Sequence, residues 1–242
     1  MTKLILASAS PARLATLQRA GVEPIVRVSG VDERAVTRTA TERFGEVLSP
    51  GDTALLLAQA KAEAVARELD APANDSGGGL DNGGGLDDAG LDDDGLSDSL
   101  LDDAVVVGCD SILEMDGKPY GRPADAATAI ARIKAMSGNS GTLHTGHWVI
   151  DLRSAENGGT GATLGATGST IVHFSDIEDE EIEAYVATGE PLQVAGSFTV
   201  DGLGGPFVAG IEGDYHNVVG ISLPLLRDIL RQIGVPWHTL RS

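Results

Sequence analysis

The sequence predicts an α/β fold with one mixed β-sheet and flanking helices. Apolar runs of strand length alternate with segments whose apolar residues recur at helical spacing, which is the pattern of an α/β chain. The run at 104–109 is apolar throughout and predicts a strand covered on both faces. With 242 residues the chain suits one large or two small domains, and it can bury a sizeable core.

The first predicted elements are a strand and a helix that follows it directly. After the apolar run at 4–6, Ser10 is a suitable N-cap and Pro11 suits the first helical position. Backbone N–H groups and the positive end of the helix dipole would therefore meet Ser8, Ser10 and Arg13. This arrangement predicts a seat for an anionic group such as phosphate; the alternative is an ordinary strand–helix turn with a surface arginine.

The remaining elements alternate along the chain. Helices are predicted where a capping residue precedes apolar residues at helical spacing, and strands where apolar residues run together or alternate. In order, they are a strand at 24–28, a helix at 52–68, a strand at 104–109 with a hairpin partner at 112–115, a helix capped by Asp125, strands at 143–152 and 169–174, a flexible loop at 154–168 between them, a helix after a capping box at 175–178, a hairpin of 198–200 with 207–211, and a last helix that begins at Ser222 and ends at Gly234.

The acidic charge of the chain is concentrated in one segment. The formal net charge is −19, but residues 75–103 hold ten aspartates and no lysine or arginine, so the rest of the chain carries only −9. The segment 71–103 is glycine- and aspartate-rich and lacks β-branched and aromatic residues, which predicts a disordered insertion. Its Gly-Leu-Asp recurrence leaves a calcium-responsive module as a minor alternative. General nucleic-acid binding is disfavoured because it needs a basic face.

The sequence also indicates a compartment. We find no charged leader with a cleavable apolar stretch, and no apolar run long enough to cross a bilayer. Cys109 is the only cysteine, which rules out an internal disulfide and fits a reducing cytosol. We therefore expect a cytoplasmic protein with no membrane partner.

Two acidic residues follow predicted strands. Asp110 comes directly after the apolar run at 104–109, and Glu33 follows the second strand. The carboxyl ends of strands are where open α/β sheets place ligands. A carboxylate there is costly to desolvate unless it meets a metal, a cation or a proton-transfer task. The alternative for Asp110 is a capping or turn aspartate.

Three cations complete a set suited to polyphosphate. Arg13, Lys61 and Arg122 would neutralise phosphate charge, and oxygen ligands from Glu33 and Asp110 suit Mg²⁺ or Mn²⁺. A carboxylate in such a set positions or deprotonates water. We therefore expect all five side chains to face one cavity. A solvated surface position is the alternative for each cation.

Other candidate groups point to less specific roles. His144 and His147 lie three apart in a predicted strand and would face opposite sides of it, which is poor geometry for one shared metal. Cys109 is interpreted as a small buried side chain rather than a nucleophile. The glycine-rich run 202–205 either turns the predicted hairpin or cradles a phosphate.

A series of short motifs links these residues to a known family. They are 6-LASASPAR-13, 31-VDE-33, Lys61, 108-GCDS-111, 121-GRP-123, 137-SG-138, 145-TG-146, 189-GEP-191, 195-AG-196, 202-GLGG-205 and 217-NVVG-220. In this order the chain resembles the Maf proteins, a family of house-cleaning nucleoside triphosphate pyrophosphatases that is linked also to septum formation. The resemblance covers nearly the whole chain outside 71–103 and 154–168.

The resemblance implies a single Maf-like domain over residues 1–242, with a two-lobed fold of the Maf/ITPase-like type in which a mixed β-sheet with flanking helices surrounds a central cleft. Such proteins are often dimeric. The resemblance also implies hydrolysis of a nucleoside triphosphate to the monophosphate and pyrophosphate with a divalent cation, Mg²⁺ or Mn²⁺. Asp110 would match the family's proton acceptor and a metal ligand, and Glu33 a metal-side acid. The residues that would match the phosphate-binding positions are Ser8, Ser10, Arg13, Lys61 and Arg122.

Some positions depart from the family pattern. Ala12, Ser111 and Asp201 stand where the family often has arginine, threonine and glutamine, and they put the choice of base in doubt. Val194 stands where a lysine is frequent, whereas Arg122 replaces a lysine and keeps its charge. The set resembles an actinobacterial branch. The missing arginine at Ala12 and the acidic insertion motivate an alternative function, a catalytically weak nucleotide-binding regulator of septum formation.

Overall fold

A single mixed sheet organises the molecule. The computed structural model describes residues 2–70 and 103–241, and seven strands of these residues form one sheet. The strands are β1 (Lys3–Leu6), β2 (Ile25–Val26), β3 (Ala104–Met115), β4 (Lys118–Tyr120), β5 (Ser140–Asp151), β6 (Thr163–Phe174) and β7 (Val208–Glu212). Their order is β2-β1-β3-β5-β6-β7, with β4 paired to β3. β1 runs parallel to β2 and β3, and the other pairs are antiparallel. The predicted α/β class is confirmed.

Seven α-helices of the described residues flank the sheet. They are α1 (Pro11–Arg19), α2 (Glu33–Phe44), α3 (Pro50–Asp70), α4 (Ala126–Met136), α5 (Asp179–Ala187), α6 (Tyr215–Val219) and α7 (Leu223–Gln232). The predicted caps Ser10, Asp125 and Ser222 begin α1, α4 and α7, and each side chain accepts a hydrogen bond from the N–H three residues on. These three helix starts are confirmed.

The core covers both faces of the central strands because side chains alternate along β1. Leu4 and Leu6 pack on one face, in a buried cluster with Leu226 of α7. Ile5 points to the opposite face, in a cluster with Val65 of α3. Burial on both faces explains the continuous apolar runs of β1 and β3.

Two glycines bring α3 close to the sheet. A Cβ atom at Gly108 would clash with the carbonyl oxygen of Ala58, and one at Gly146 would clash with that of Ala54. Only glycine therefore allows this approach of helix to strand. One turn along α3 from Ala58, Lys61 lies over the same face of the sheet as Asp110.

β3 corrects the predicted hairpin. The strand runs unbroken through Asp110, and residues 112–115 continue it instead of turning back. The return strand is β4, after a turn at 116–117 where both residues have positive φ. Asp110 is thus in mid-strand, not at a strand end. It still lies at an opening in the sheet, because β1 stops at Leu6 opposite Val107.

Three other features of the structure differ from the prediction: a helix, a capping box and the start of a strand. α2 was not expected, since Ala40 is its one buried residue and it has no apolar stripe. The capping box before α5 is formed by Glu178 and Glu181, three residues later than predicted. β6 already begins at Thr163, so the second half of the expected loop at 154–168 is strand.

The predicted insertion at 71–103 lies outside the described residues except for Asp103, whose carbonyl accepts a hydrogen bond from the Lys3 N–H at 2.7 Å. Within 2–70 and 103–241, no helix is both long and apolar enough to cross a membrane.

Candidate functional site

The residues singled out in the sequence meet at one cavity. It has a volume of about 670 Å³ and lies among the end of β1, the start of α1, β3 and the segment 193–201. Small-molecule sites commonly measure roughly 300–1,000 Å³. The sequence-predicted site residues that line it are Ser8, Ser10, Ala12, Arg13, Glu33, Lys61, Asp110, Ser111, Arg122 and Asp201.

Lys61 joins the two acids of this cavity. Its Nζ lies 2.5 Å from Asp110 Oδ1 and 2.7 Å from Glu33 Oε1. Because both oxygens contact one nitrogen, the two carboxylates converge on one point of the cavity. Arg122 approaches the same Glu33 oxygen at 3.8 Å from a more exposed position.

The two carboxyl groups differ in acidity. Burial raises the pKa of Asp110 above its ordinary 3.8, although the charges of Lys61 and Arg13 act in the opposite direction. Burial also acts to raise the pKa of Glu33, but its hydrogen bond from Lys61 and the nearby positive charges outweigh burial and hold that pKa below 4.5. Asp110 is therefore the stronger base of the two, and Glu33 is the more readily ionised carboxyl group.

Arg13 is fixed by its own hydrogen bonds. Its Nε donates to the Gly220 carbonyl at 2.7 Å, Nη1 to Ser8 Oγ at 3.0 Å and Nη2 to Ser111 Oγ at 3.1 Å. Gly220 has φ +120°, and a Cβ atom there would lie 3.1 Å from Arg13 Nε. Three bonds and 8% exposure hold the guanidinium in one orientation at the cavity wall.

A chain of hydroxyl groups continues from Arg13 into the core. Ser111 Oγ lies 2.9 Å from Thr145 Oγ1, and Thr145 donates its proton to the Asn217 carbonyl at 2.9 Å. Ser111 must therefore donate to Thr145 while it accepts from Arg13. The sequence connected Ser111 with base choice and assigned no role to Thr145; the structure places both behind Arg13.

The two serines before α1 stabilise the turn. Ser8 Oγ accepts from the Ser10 N–H at 3.2 Å, and Ser10 Oγ accepts from the Arg13 N–H at 3.4 Å. Each hydroxyl acts as an acceptor in these bonds, which leaves its own proton to offer to a phosphate oxygen.

The glycine-rich run 202–205 is neither a hairpin turn nor a phosphate cradle. Residues 198–200 form no strand in the structure, and the N–H groups of Leu203 and Gly204 both donate to the Glu190 carboxylate at 3.1 Å. An internal anion thus takes the backbone donors of this loop. Sequence reasoning missed Glu190, whose only signal was its place in the 189-GEP-191 motif.

The histidine and cysteine interpretations agree with the structure. Cys109 is fully buried, and burial raises its pKa to about 11, which makes it a poor nucleophile. His147 is buried, whereas His144 contacts Ser169 and Glu114 elsewhere on the sheet, so the two do not share one site.

The carboxylates of the cavity fit a metal ion that is bound jointly by the protein and by the phosphate groups of a bound molecule. No group of three or more His, Cys, Asp or Glu side chains among residues 2–70 and 103–241 is arranged to hold a metal. Mg²⁺ is commonly bound by one or two carboxylates together with substrate phosphates and water. Glu33 and Asp110 supply two carboxylates at one point, which matches that mode and not an all-protein metal cage.

Comparison with known proteins identifies the family. The family model described as Maf-like protein matches residues 3–233. The chain belongs to the Maf family. The Maf family model thus spans β1 to the end of α7, and includes every residue of the cavity named above.

Curated relatives match this Maf chain over most of its length. A nucleoside triphosphate pyrophosphatase of Salinispora tropica is 47% identical over 240 residues, which cover 99% of this chain and 88% of the relative. Relatives of the same name from Rhodococcus jostii and Streptomyces coelicolor are 48% and 45% identical, with 97% and 96% of this chain and 94% and 91% of the relatives covered. These relatives are actinobacterial, as the departures from the family pattern predicted.

Proposed function

We propose that this Maf protein hydrolyses nucleoside triphosphates to nucleoside monophosphates and pyrophosphate, with non-standard nucleotides among its substrates. The observation that carries the proposal is the convergence of Asp110 and Glu33 on Lys61. It sets a base, a ligand for a divalent cation and a phosphate-binding charge side by side. The name shared by the relatives supports the same reaction.

Asp110 is the group that would activate water in this reaction. Water attacks the α-phosphorus, its proton passes to the Asp110 carboxylate, and the bond from the α-phosphorus to the bridging oxygen breaks to release pyrophosphate. The raised pKa of Asp110 suits a proton acceptor. Arg13, Lys61 and Arg122 would neutralise the charge that develops on the leaving pyrophosphate.

A divalent cation, Mg²⁺ or Mn²⁺, is the proposed cofactor. Glu33 and Asp110 are the residues that would hold it together with phosphate oxygens. When bound, it would withdraw charge from those oxygens. Lys61 holds both carboxylates in position for that role.

The setting of the reaction is also a proposal. We propose a cytoplasmic enzyme, since buried Cys109 is a free thiol. We further propose that the protein forms a homodimer, does not bind a nucleic-acid polymer and contributes to division arrest. The weak-regulator alternative is disfavoured because the cavity keeps both acids and all three predicted cations.

Pyrophosphate release from a panel of standard and modified triphosphates tests the proposal. We expect release that chelation abolishes and Mg²⁺ or Mn²⁺ restores. Asp110→Asn should keep the fold, since Lys61 retains Glu33, and should lose about 10²–10⁴-fold in turnover, the usual contribution of a general base. Asp116→Asn, at an exposed turn beyond the same strand, is the matched control and should release pyrophosphate normally.

Unchanged turnover in Asp110→Asn would contradict the assignment. Tight nucleotide binding by the unaltered protein without pyrophosphate release would favour the regulator.

A further inference from the structure

Glu190 receives an unusual number of hydrogen bonds. Its Oε1 accepts from the Tyr185 hydroxyl at 2.9 Å, the Thr199 hydroxyl at 2.6 Å and the Gly204 N–H at 3.1 Å. Its Oε2 accepts from the Leu203 N–H at 3.1 Å. All four partners donate, so this site is built for an ionised carboxylate.

The same loop is shaped around this carboxylate. A Cβ atom at Gly202 would lie 2.6 Å from Glu190 Oε2, and one at Gly204 would clash with the Tyr185 hydroxyl oxygen. The loop can therefore close over Glu190 only with glycine at both positions. Apart from a single-turn helix at its end, the stretch 199–207 has no regular secondary structure to hold it. Its shape depends on these side-chain contacts.

Glu190 itself does not line the cavity, but the residues that it holds do. Thr199 donates to Glu190 and lines the cavity, and Asp201 lies between Thr199 and the two anchored amides. The Glu190 carboxylate therefore holds the chain on both sides of Asp201: it binds Thr199 before it and the Leu203 and Gly204 amides after it.

This wall of the cavity is suited to the nucleoside. The lining residues at 193–201 include no lysine or arginine, whereas the cations lie on other elements, among them Arg13 on α1 and Lys61 on α3. A polyphosphate held by those cations leaves its nucleoside to face the wall that carries Asp201.

We propose that Glu190 is a positioning residue that fixes Asp201 and Thr199 against the nucleobase and so determines which bases are accepted. This inference rests on the proposed function, because it takes a nucleoside triphosphate as the ligand. Glu190 makes no direct contact with Asp110 or Lys61 in the structure. Its loss should therefore affect discrimination between bases more than the chemical step.

Glu190→Gln tests the inference with two readouts. Glutamine replaces one carboxylate oxygen with an NH₂ group, which donates and cannot accept. With the remaining oxygen at the position that meets three donors, the NH₂ group faces the Leu203 N–H, so the Leu203 amide should exchange hydrogen about tenfold faster, which corresponds to roughly 1.4 kcal/mol of lost protection. The second readout is the ratio of dissociation constants between the best- and worst-bound bases in a panel of non-hydrolysable triphosphate analogues. We expect that ratio to fall about fivefold or more, and KM for the preferred substrate to rise while kcat changes little.

Two further variants support the comparison. Glu183→Gln removes the same charge from an exposed position on α5 and should leave both readouts unchanged. Tyr185→Phe keeps the ring that packs against Phe207 but removes one donor to Glu190. It should change both readouts in the same direction by a smaller amount, which keeps the inference testable if Glu190→Gln does not fold.

The outcomes separate the two proposals. If the unaltered protein binds and hydrolyses nucleotides, but Glu190→Gln keeps its ratio of dissociation constants, the positioning role is wrong and the proposed function stands. Faster amide exchange with an unchanged ratio would make Glu190 a structural anchor only. If no analogue binds to the unaltered protein, both proposals are overturned.

Discussion

Lys61 Nζ lies 2.5 Å from Asp110 Oδ1. Both residues are buried, and the exposed fraction of their surface is 8% for Lys61 and 9% for Asp110. A buried ion pair is sensitive to the loss of one partner, because the other charge is then left without compensation. In this fold the pair also has a functional consequence, since its carboxylate is the proposed base. Stability and activity are therefore coupled at Lys61.

Lys61→Met should lose pyrophosphatase activity and also destabilise the fold. Methionine keeps much of the length but removes the charge, so Asp110 must stay charged without its partner or take up a proton. We expect a loss of about 3 kcal/mol in the free energy of unfolding at neutral pH, at the lower end for a broken buried pair because protonation limits the penalty. Denaturant unfolding monitored by circular dichroism measures it.

A double variant provides the control for this prediction. Asparagine needs no counter-charge, so Lys61→Met with Asp110→Asn should be more stable than Lys61→Met alone by about 1 kcal/mol or more. Lys134→Met, which removes an exposed lysine paired with Asp179, should change stability by less than about 1 kcal/mol. The Asp110→Asn single variant completes the cycle, and an equal change in stability on adding Asp110→Asn to the unaltered protein and to Lys61→Met would show that the pair is not coupled.

Thr145→Val tests the hydroxyl chain behind Arg13. Valine keeps the shape but removes the acceptor of Ser111 and the donor to the Asn217 carbonyl. Ser111 is then free to rotate away from Arg13, while the bonds from Arg13 to Ser8 and Gly220 persist. We expect kcat/KM to fall about tenfold, equivalent to roughly 1.4 kcal/mol. The Asn217 carbonyl keeps its hydrogen bond from the Gly220 N–H at 3.1 Å, so stability should fall by only about 1 kcal/mol, the net worth of one hydrogen bond.

Thr145→Ser is the matched variant, because it retains the hydroxyl and loses only a methyl group. It should keep nearly normal kcat/KM in the same pyrophosphate-release assay. Similar losses in the serine and valine variants would indicate that packing at Thr145, and not its hydrogen bond, matters for activity.

The sequence could predict much of the site because its signals were local. Ser10 and Pro11 determine where α1 begins, and this places Ser8 and Arg13 together at the turn that lines the cavity. Residues from distant segments, such as Lys61, joined the set by their charge, and the family resemblance supported that grouping, since no local pattern connects Lys61 to the loop.

What the sequence could not predict depends on contacts between distant segments. Asp110 was expected at a strand end, but pairing with β5 continues the strand beyond it to Met115. The loop at 202–205 looked like a hairpin turn because nothing nearby in the sequence indicates that Glu190 occupies its amides. α2 was missed because a helix that buries only Ala40 leaves no apolar periodicity.

His147 predicts how stability depends on pH. Burial, together with the positive charge of Arg13, lowers its pKa from 6.5 to about 4. The neutral ring donates from Nδ1 to the Thr145 carbonyl at 3.0 Å and accepts from the Ser222 N–H at Nε2, at 2.8 Å. A proton on Nε2 would abolish the second bond and place a charge in the core.

The sign of the effect follows from proton uptake. Between pH 6.5 and about 4, the unfolded chain binds a proton at this histidine and the folded protein does not. The free energy of unfolding therefore falls as the pH falls through that interval, by about 3 kcal/mol in total from this histidine. Above pH 6.5 the histidine has no effect on the pH dependence of stability.

His147→Gln cannot titrate at this position, so its free energy of unfolding should vary less with pH across the same interval, whatever its stability at pH 7. Urea unfolding at half-unit steps of pH measures both proteins, and parallel curves for His147→Gln and the unaltered protein would show that folding does not lower the pKa of His147.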